Sequence, residues 1–427
     1  MDIHVVRAGE TVSSVAARYG VPAGILAGVN GVAPDAPLAV GQTLVVRRPR
    51  ELHAVASGES VYSIALRYGL SVRTLYQNNP ALGGRSALYP GQTLVIAYDD
   101  TPTRTLAVNA YSYPFIRGGL LDAALPYLTY LTPFTYGINA DGTLLPLADE
   151  WLLAAAGQYR TAALMHLSTL TEEGRFDNAR STLILEDADA QDALVQSILE
   201  TVQARHYFGL DVDFEYVLPE QREAYAAFIT RLREALNPLG CPVIVALAPK
   251  TSAAQRGLLY EAHDYALLGA AANAVFLMTY EWGYAYGPPM AVAPLGQVRA
   301  VLDYAVAAVA PEKIFMGIPL YGYDWPLPFV SGETRAESLS PVQAVERALR
   351  HDIAIQYDAA AQAPYYHYTD RGGCEHAVWF EDARSIEAKL RLADEYHLQG
   401  VGYWNLTRPF PQNWAVLASL FDIETLL

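Results

Sequence analysis

The sequence has little cysteine and no long apolar segment. Its two cysteines, Cys241 and Cys374, lie far apart and outside any CxxC pattern, which argues against a disulfide framework or a zinc knuckle and predicts two ordinary thiols. No uncharged apolar run reaches the roughly 18 residues that a membrane-spanning helix needs. The first ten residues, MDIHVVRAGE, lack the basic and apolar regions of a secretory signal. We therefore expect neither a membrane anchor nor a cleaved signal peptide.

Basic charge is also scarce, and it is unevenly distributed. The net charge is −16, yet residues 1–98 contain eight Arg and only five Asp or Glu, so the excess of acid lies in the rest of the chain. This acidic bulk argues against nucleic acid as the main partner. A length of 427 residues, 52% of them hydrophobic, exceeds one typical domain, so we expect two or more domains and a large core.

The first hundred residues contain an internal repeat. Residues 5–32 align with residues 54–82, and each copy is followed by a closing strand, VGQTLVV or PGQTLVI. Thr11 and Ser60 occupy the position of a helix N-cap, directly before the apolar spacing of the first helix in each copy. Each copy therefore predicts a module of about 45 residues with the order strand, helix, helix, strand.

Both copies resemble the LysM module. The resemblance rests on the opening V-x-x-GET or V-x-x-GES, the central A-x-RYG, an Asn near the end of the second helix and the closing GQTLV, and it covers residues 3–97. It implies two modules, 1–48 and 49–98, that bind N-acetylglucosamine polymers such as peptidoglycan or chitin. Two copies that engage together would raise avidity. The alternative is a small domain used only for protein contacts.

After a linker at residues 97–106, short apolar strands alternate with amphipathic helical segments. Eight such strands in the remaining 320 or so residues predict an α/β fold, a (β/α)₈ TIM barrel over residues 99–427. The segment from residue 324 to about 380, between strand seven and its helix, is too long for a loop. It predicts a small α+β insertion.

The fourth predicted strand contains acids at alternate positions. In FGLDVDFEYV, residues 208–217, Asp211, Asp213 and Glu215 share one face of the strand, and the apolar residues between them share the other. Like charges at this spacing repel, so the pattern predicts carboxyls that are protonated, hydrogen-bonded or metal-bound. Active sites of such barrels lie at the C-terminal ends of the strands, where this row ends.

Polar and aromatic residues end the neighbouring predicted strands and should surround the acids. Aromatic planes stack on sugar rings, and sugar hydroxyls need acceptors, so the set suits a carbohydrate. The residues are Phe134 and Tyr136 on strand two, His166 and Ser168 on strand three, Met278, Tyr280 and Glu281 on strand six, Tyr321 on strand seven, and Trp404 and Asn405 on strand eight.

These strand ends resemble those of family 18 glycoside hydrolases. GLDVDFEY is similar to the DGxDxDxE signature, MTYEW to the M-x-Y-D/N motif of strand six, and the Trp of GYWNL to the tryptophan that floors the −1 subsite. The resemblance spans residues 101–427 and includes the insertion after strand seven. Phe208 replaces the first acid of the signature, and Glu281 replaces Asp or Asn. The first acid is farthest from the chemistry, so we expect little effect on catalysis.

The resemblance implies a retaining mechanism in which the substrate's own N-acetyl carbonyl is the nucleophile. Glu215 is then the general acid and base, Asp213 holds the amide N–H, and Tyr280 hydrogen-bonds the acetyl group. Asp211 shares a proton with Asp213, whose charge we expect to raise the pKa of Glu215. No cofactor or metal is implied. The remaining implied substrate contacts are Trp404, Tyr136, Glu281, Met278 and Tyr321.

Other interpretations of these residues remain open. Carboxylates at positions i, i+2 and i+4 could bind Mg²⁺ or Mn²⁺, although only His166 lies near them as a further ligand. Trp404 and Tyr321 could be ordinary barrel core. Family 18 also includes non-catalytic lectins, in which the terminal Glu of the signature is typically replaced. The presence of Glu215 favours an enzyme.

The whole chain resembles spore-germination peptidoglycan hydrolases, which combine two LysM modules with a family 18 barrel. The stretch LMTYEWGYAYGPPMAVAPLGQVRAVLDYA carries much of this likeness. It implies an N-acetylglucosaminidase that acts on cortex peptidoglycan at the interface of spore coat and cortex, or is otherwise associated with the cell wall. Chitin stays open as a substrate. We expect a monomer with neither nucleic acid nor membrane as a partner.

Overall fold

The computed structural model describes residues 1–171 and 176–427, and its N-terminal part consists of two βααβ modules. In each module the two strands pair antiparallel. Module 1 contains β1 (Asp2–Val5), α1 (Val12–Tyr19), α2 (Ala23–Asn30) and β2 (Thr43–Val46), and module 2 contains β3 (Pro49–Ala54), α3 (Val61–Arg67), α4 (Val72–Asn78) and β4 (Thr93–Tyr98).

The GET and GES motifs build the same turn in both modules. Thr11 and Ser60 cap α1 and α3 through capping boxes. In each box the capping side chain accepts the backbone N–H of the serine three residues later, and that serine's hydroxyl accepts the backbone N–H of the capping residue. Glu10 and Glu59 each accept a backbone N–H from three residues earlier and lie 2.7 Å from a histidine ring nitrogen. These contacts lower the pKa of both carboxyls, first through the backbone hydrogen bond. The motif glutamates therefore fix the loop between the first strand and the first helix.

The rest of the chain alternates strands and helices. Its strands are β5 (Arg104–Ser112), β6 (Tyr130–Pro133), β7 (Gly137–Ile138), β8 (Leu144–Leu145), β9 (Ala162–Ser168), β10 (Gly209–Asp213), β11 (Val243–Leu247), β12 (Ala274–Leu277), β13 (Ile314–Pro319), β14 (Gly322–Leu327), β15 (Glu337–Leu339), β16 (Gln356–Asp358), β17 (Ala363–Thr369), β18 (Glu375–Trp379), β19 (Gly400–Trp404) and β20 (Phe421–Ile423). Its helices are α5 (Gly118–Ala124), α6 (Glu150–Gln158), α7 (Asn178–Glu186), α8 (Ala188–Arg205), α9 (Arg222–Leu236), α10 (Tyr265–Ala271), α11 (Leu295–Ala308), α12 (Pro341–Arg350), α13 (Ala383–Glu395) and α14 (Pro411–Leu420).

Eight parallel strands close into a barrel, which confirms the predicted (β/α)₈ architecture. Their order around the barrel is β5, β6, β9, β10, β11, β12, β13 and β19, and β19 pairs with β5 to close it. Strand β20 adds to the start of β5. The main hydrophobic core lies between the sheet and the surrounding helices. No single helix in residues 1–171 and 176–427 is long and apolar enough to span a bilayer, and α1 with α2 meets the length and composition only as a pair bent by 113°.

The inside of the barrel is filled by large side chains. Phe276 on β12 points across to β19, where a Cβ added at Gly402 would lie 2.4 Å from its ring. The glycine of GVGYW therefore makes room for a core aromatic ring. Phe208, the residue that replaces the first acid of the signature, lies before β10 and packs on Tyr130 with ring centroids 5.9 Å apart. Its position at the N-terminal end of the strand keeps this replacement away from the strand end that carries the acids.

The expected insertion after strand seven is an antiparallel sheet of order β15, β14, β18, β17 and β16, with helix α12 packed against it. It begins at residue 322, two residues before the predicted start. Asp324 is its buried polar centre, because it accepts hydrogen bonds from Arg347 and from the Tyr368 hydroxyl at 2.7 Å and contacts a His376 ring nitrogen at 2.7 Å. These partners offset the cost of burying the carboxylate.

Both modules pack against the barrel. From α14, Gln412 donates to Asn30 Oδ1 at 2.9 Å and to the Thr43 carbonyl at 2.6 Å, which attaches module 1. Arg73 of module 2 donates to the Pro126 carbonyl at 2.7 Å. Because Pro126 lies in the turn that leads into β6, module 2 lies at the N-terminal end of the barrel, opposite the C-terminal strand ends.

Candidate active site

A cavity of about 560 Å³ opens at the C-terminal ends of the barrel strands. Its volume lies in the range of small-molecule sites, and its lining combines acids with aromatic rings. Of the residues predicted from the sequence, the structure places Phe134, Asp213, Glu215, Met278, Tyr280, Glu281 and Trp404 around this cavity.

The acid row follows the predicted alternation. Strand β10 ends at Asp213, and Glu215 lies two residues beyond it, with both side chains in the cavity lining. Between them, Phe214 points outward and stacks on Tyr225 of α9 with ring centroids 5.7 Å apart. Tyr216 then adopts a left-handed backbone with φ of 57°, which is uncommon for a residue with a side chain. The chain therefore turns sharply directly after Glu215.

Asp211 lies inside the barrel, and Asp213 lies two residues closer to the C-terminal end of strand β10. The Tyr111 hydroxyl donates to Asp211 Oδ2 at 2.7 Å, whereas the second oxygen, Oδ1, is buried without a partner among the described residues. Burial raises the pKa of Asp211 to about 7, against the hydrogen bond from Tyr111, which lowers it. Burial, and then the charges of Glu215 and Asp211, raise the pKa of Asp213 well above its usual range. The pair therefore holds at least one proton at neutral pH.

His166 is the imidazole nearest to this pair. Its Nε2 lies 3.8 Å from Asp213 Oδ2, and its Nδ1 lies 2.5 Å from the Thr135 hydroxyl. Complete burial lowers the pKa of His166 to about 3, so the ring is neutral and supplies no positive charge. Within residues 1–171 and 176–427, no three His, Cys, Asp or Glu side chains are grouped as metal ligands.

Glu215 has the protonation behaviour of a general acid. Burial raises the pKa of its carboxyl to about 7, and the negative charge of Glu281 contributes next. The sequence predicted that Asp213 would supply this charge. Asp213 and Glu215 repel each other, as the raised pKa of Asp213 shows, and Glu281 adds a second negative charge beside Glu215 that the sequence did not predict.

Glu281 is held at the rim of the cavity by two tyrosines. Its Oε1 accepts hydrogen bonds from the Tyr321 hydroxyl and, at 3.0 Å, from the Tyr323 hydroxyl. Partial burial raises the pKa of Glu281, and these two bonds lower it. Tyr321 is only 5% exposed and lies outside the cavity lining, so its predicted role as a direct substrate contact is replaced by a role in positioning Glu281.

Tyr136 also lies outside the cavity, contrary to its predicted role as a substrate contact. Its hydroxyl donates to Asp149 Oδ2 at 2.8 Å, on the outer side of the barrel wall. Strand β6 ends at Pro133, so the alternation of an extended strand does not continue to residue 136. Phe134 takes the position in the cavity lining instead.

Trp404 forms a platform at the base of the cavity. Its indole contacts three aromatic rings edge-on, at centroid distances of 5.5 Å to Tyr111, 5.9 Å to Tyr113 and 4.9 Å to Phe134. These contacts fix the indole plane while part of it stays open to the cavity. Beside it, burial raises the pKa of the Tyr280 hydroxyl well above its usual range, so this hydroxyl remains a hydrogen-bond donor.

Several lining residues were missed in the sequence. Tyr113 follows β5 as Phe134 follows β6, so the strand-end argument could have found it. The others come from loops, whose course no sequence periodicity predicts. They are Leu170, Phe176, Pro249, Leu259, Tyr260 and Trp282.

Comparison with known proteins agrees with this geometry. The family described as "Glycosyl hydrolases family 18" matches residues 171–408, and "LysM domain" matches residues 4–47 and 53–97. The cortical fragment-lytic enzyme of Bacillus subtilis (strain 168) is 40% identical over 433 residues, which cover 99% of each chain. The crystal structure of the Bacillus cereus spore cortex-lytic enzyme SleL is similar with a TM-score of 0.84 and 38% identity, covering 99% of this chain and 98% of that one. A chitinase from Chromobacterium violaceum ATCC 12472 covers 74% of this chain and 98% of its own, with a TM-score of 0.68 and 25% identity.

Proposed function

The chain belongs to glycosyl hydrolase family 18 and carries two LysM domains, and on this basis we propose that it cleaves N-acetylglucosaminyl bonds of spore-cortex peptidoglycan with retention of configuration. Residues 99–427 are the catalytic domain, and residues 1–48 and 49–98 are the two LysM domains. Relatives that align over almost the whole chain are named for lysis of cortex or of cortical fragments, which supports the substrate.

In the first step, Glu215 donates its proton to the glycosidic oxygen as the bond to the leaving group breaks. The acetamido oxygen of the substrate attacks the anomeric carbon and forms an oxazolinium ring. Asp213 accepts a hydrogen bond from the amide N–H and stabilises the positive charge, and the Tyr280 hydroxyl donates to the acetyl group. In the second step, the Glu215 carboxylate takes a proton from water, which opens the ring from the face that the leaving group occupied.

One observation carries this proposal. Asp213 Oδ1 is a buried oxygen without a hydrogen-bond partner among the described residues, and Asp213 lines the cavity beside Glu215. An unpaired buried acceptor costs free energy, so the site favours a ligand that brings a donor to it. The acetamido N–H is such a donor. Beneath it, Asp211 shares the proton that keeps this pair from carrying two full charges.

The other cavity residues bind the sugar. Trp404 supplies the plane on which the ring stacks, Met278 lines the wall beside it, and Glu281 accepts from sugar hydroxyls at the rim. Tyr321 acts through Glu281, which it holds in place.

Glu215→Gln tests the catalytic assignment. Because the amide has no proton to give, we expect kcat to fall by about 10²- to 10⁴-fold, while binding is retained. Release of reducing ends from solubilised cortex peptidoglycan measures this. Glu220→Gln is the matched control, because it makes the same change at an exposed acid five residues later.

Three results would contradict the assignment. Near-normal turnover by Glu215→Gln would refute the role of Glu215. Peptidoglycan binding without any product from the wild type would indicate a lectin. Faster cleavage of chitin oligomers than of cortex fragments, judged by mass spectrometry of the products, would replace the substrate with chitin.

We further propose that the protein acts as a monomer at the interface of spore coat and cortex. The net charge of −16 argues against nucleic acid or an anionic membrane surface as the partner. The LysM region, residues 1–98, supplies the affinity for a wall polymer.

A further inference from the structure

The two LysM domains contain the same turn before the closing strand. In module 1 the Gly41 N–H donates to the Val6 carbonyl at 2.8 Å, and in module 2 the Gly91 N–H donates to the Val55 carbonyl at 2.8 Å. The turn therefore lies beside the start of the loop that leads into the first helix of each module. The two domains can be compared position by position at this end.

In module 1 this turn is covered by the insertion. The Ile355 N–H donates to the Val40 carbonyl at 2.8 Å, and a Cβ at Gly41 would lie 2.0 Å from the Ile355 carbonyl oxygen. Ala39 is 3% exposed and belongs to the hydrophobic cluster of the insertion, together with Tyr366. The turn of module 1 is therefore part of an internal interface and is closed to a polymer, whereas Ser13 and Ala17 on the adjacent helix stay exposed.

In module 2 the equivalent end is open. A Cβ at Gly91 would meet nothing within 4 Å, and Tyr89, two residues earlier, is 72% exposed. On the neighbouring helix α3, Tyr62 and Leu66 are 68% and 69% exposed and lie one turn apart on the same face. Large side chains that are this exposed on one small domain indicate a contact surface.

The sequence differs between the modules at these positions. Where module 2 has the exposed set Tyr62, Leu66 and Tyr89, module 1 has the aligned residues Ser13, Ala17 and Ala39. The module whose turn is covered carries small side chains at these positions, and the module whose turn is open carries two tyrosines and a leucine. The two modules therefore share one fold but differ in the side chains that they present at this end.

We propose that module 2 alone presents a glycan-binding face, formed by Tyr62, Leu66 and Tyr89. Module 1 has a structural role, because it packs against both the barrel and the insertion. The occupant is an N-acetylated glycan strand, and this identity rests on the proposed function. Tyrosine suits it, because the ring stacks on a sugar face while the hydroxyl hydrogen-bonds the sugar. Module 2 is attached opposite the cavity, so it holds the enzyme on the wall while the cavity acts on another part of the polymer.

A sedimentation assay with insoluble peptidoglycan tests this proposal in the full-length Glu215→Gln background, in which digestion of the polymer during the assay should be greatly slowed. We expect Tyr62→Ala and Tyr89→Ala each to weaken binding by about fivefold to tenfold, and the double variant to weaken it further. Ser13→Ala, at the position in module 1 equivalent to Tyr62, should bind as the parent does. The rings of Tyr62 and Tyr89 are largely exposed, and Ser13 is small and exposed, so replacing any of the three by alanine should leave the fold intact.

Turnover of soluble cortex fragments by the same tyrosine variants, with Glu215 restored, separates this proposal from the proposed function. Unchanged soluble turnover with weakened wall binding supports both. Unchanged wall binding by the double variant overturns the proposal, and so does a loss of wall binding in Ser13→Ala equal to that in the tyrosine variants. In either case, normal turnover of soluble fragments would leave the proposed function intact. If the wild type does not turn over soluble fragments, the proposed hydrolase function is contradicted. The sedimentation results for the tyrosine and Ser13 variants then decide the proposal about module 2 by themselves.

Discussion

At the scale of single residues, the site depends on carboxyls that keep their protons at neutral pH. Burial raises the pKa of all three acids of the row, and the neutral ring of His166 does not offset this. Glu215 is thereby protonated below about pH 7, as a general acid must be. The proposed chemistry gives the repulsion between these acids a use, because that repulsion keeps on Glu215 the proton that the first step transfers.

Glu281→Gln should move the pH profile of the enzyme. The negative charge of Glu281 raises the pKa of Glu215, so its removal lowers that pKa. The active form carries the proton, so activity is lost as pH rises through the pKa. We expect the basic limb of kcat/KM to shift to lower pH by roughly 0.5 to 1 unit. An unchanged limb, or a shift to higher pH, would contradict the role of Glu281, and Glu220→Gln controls for the loss of a distant charge.

Two backbone positions beside the reacting groups are strained. Tyr216 follows Glu215 with φ of 57°, and Glu281 follows Tyr280 with φ of 68°. Residues with side chains rarely occupy this region, and such positions cluster at functional sites. Each turns the chain directly after a side chain that points into the cavity. The sharp turns thus aim Glu215 and Tyr280 at the same space.

The sequence predicts the cavity residues at the strand ends better than it predicts the residues that support them. Asp213, Glu215 and Trp404 line the cavity as expected, because the ends of parallel strands meet at one face of the barrel. Tyr136 does not line it, because a short strand ends before that residue. Tyr321 does not line it either, and only the folded chain shows that its hydroxyl bonds to Glu281 at the rim.

At the scale of elements, apolar periodicity predicts the modules, the eight barrel strands and the insertion. It does not predict how they dock. The contact of Val40 with Ile355 joins residues more than 300 positions apart, and it leaves no local pattern in either segment. The small Ala39, where the other module has Tyr89, is a trace of that interface in the sequence, and it is recognised only when the two copies of the repeat are compared.

Gly41→Ala and Gly91→Ala form a matched pair that measures this docking. Both glycines have positive φ, 84° and 87°, so alanine costs each turn about 1 kcal/mol or more in backbone strain. Only at Gly41 would the added Cβ also meet a neighbour, the Ile355 carbonyl oxygen. We expect Gly41→Ala to lower Tm by several degrees more than Gly91→Ala in thermal unfolding of the full chain. Equal losses would show that the turn of module 1 does not depend on its contact with the insertion.

At the scale of the whole molecule, the modules are built onto the barrel and do not hang from a free linker. Asp100, in the linker, is paired with the N-terminal amine at 3.0 Å and with Arg47 at 2.6 Å. Side chains of modules 1 and 2 meet α14 and the segment before β6. This arrangement fixes both modules relative to the cavity. The gain in avidity expected from two freely tethered copies therefore does not apply in its simple form.

The central claim is that the acetamido arm of the sugar attacks the anomeric carbon while Glu215 protonates the leaving oxygen. The most direct measurement is calorimetric titration of the full-length protein with an N-acetylglucosamine thiazoline, a stable mimic of the cyclised sugar. We predict one site that competes with substrate and binds the mimic about 10²-fold or more tightly than N-acetylglucosamine. Binding no tighter than that of the simple sugar would contradict the account.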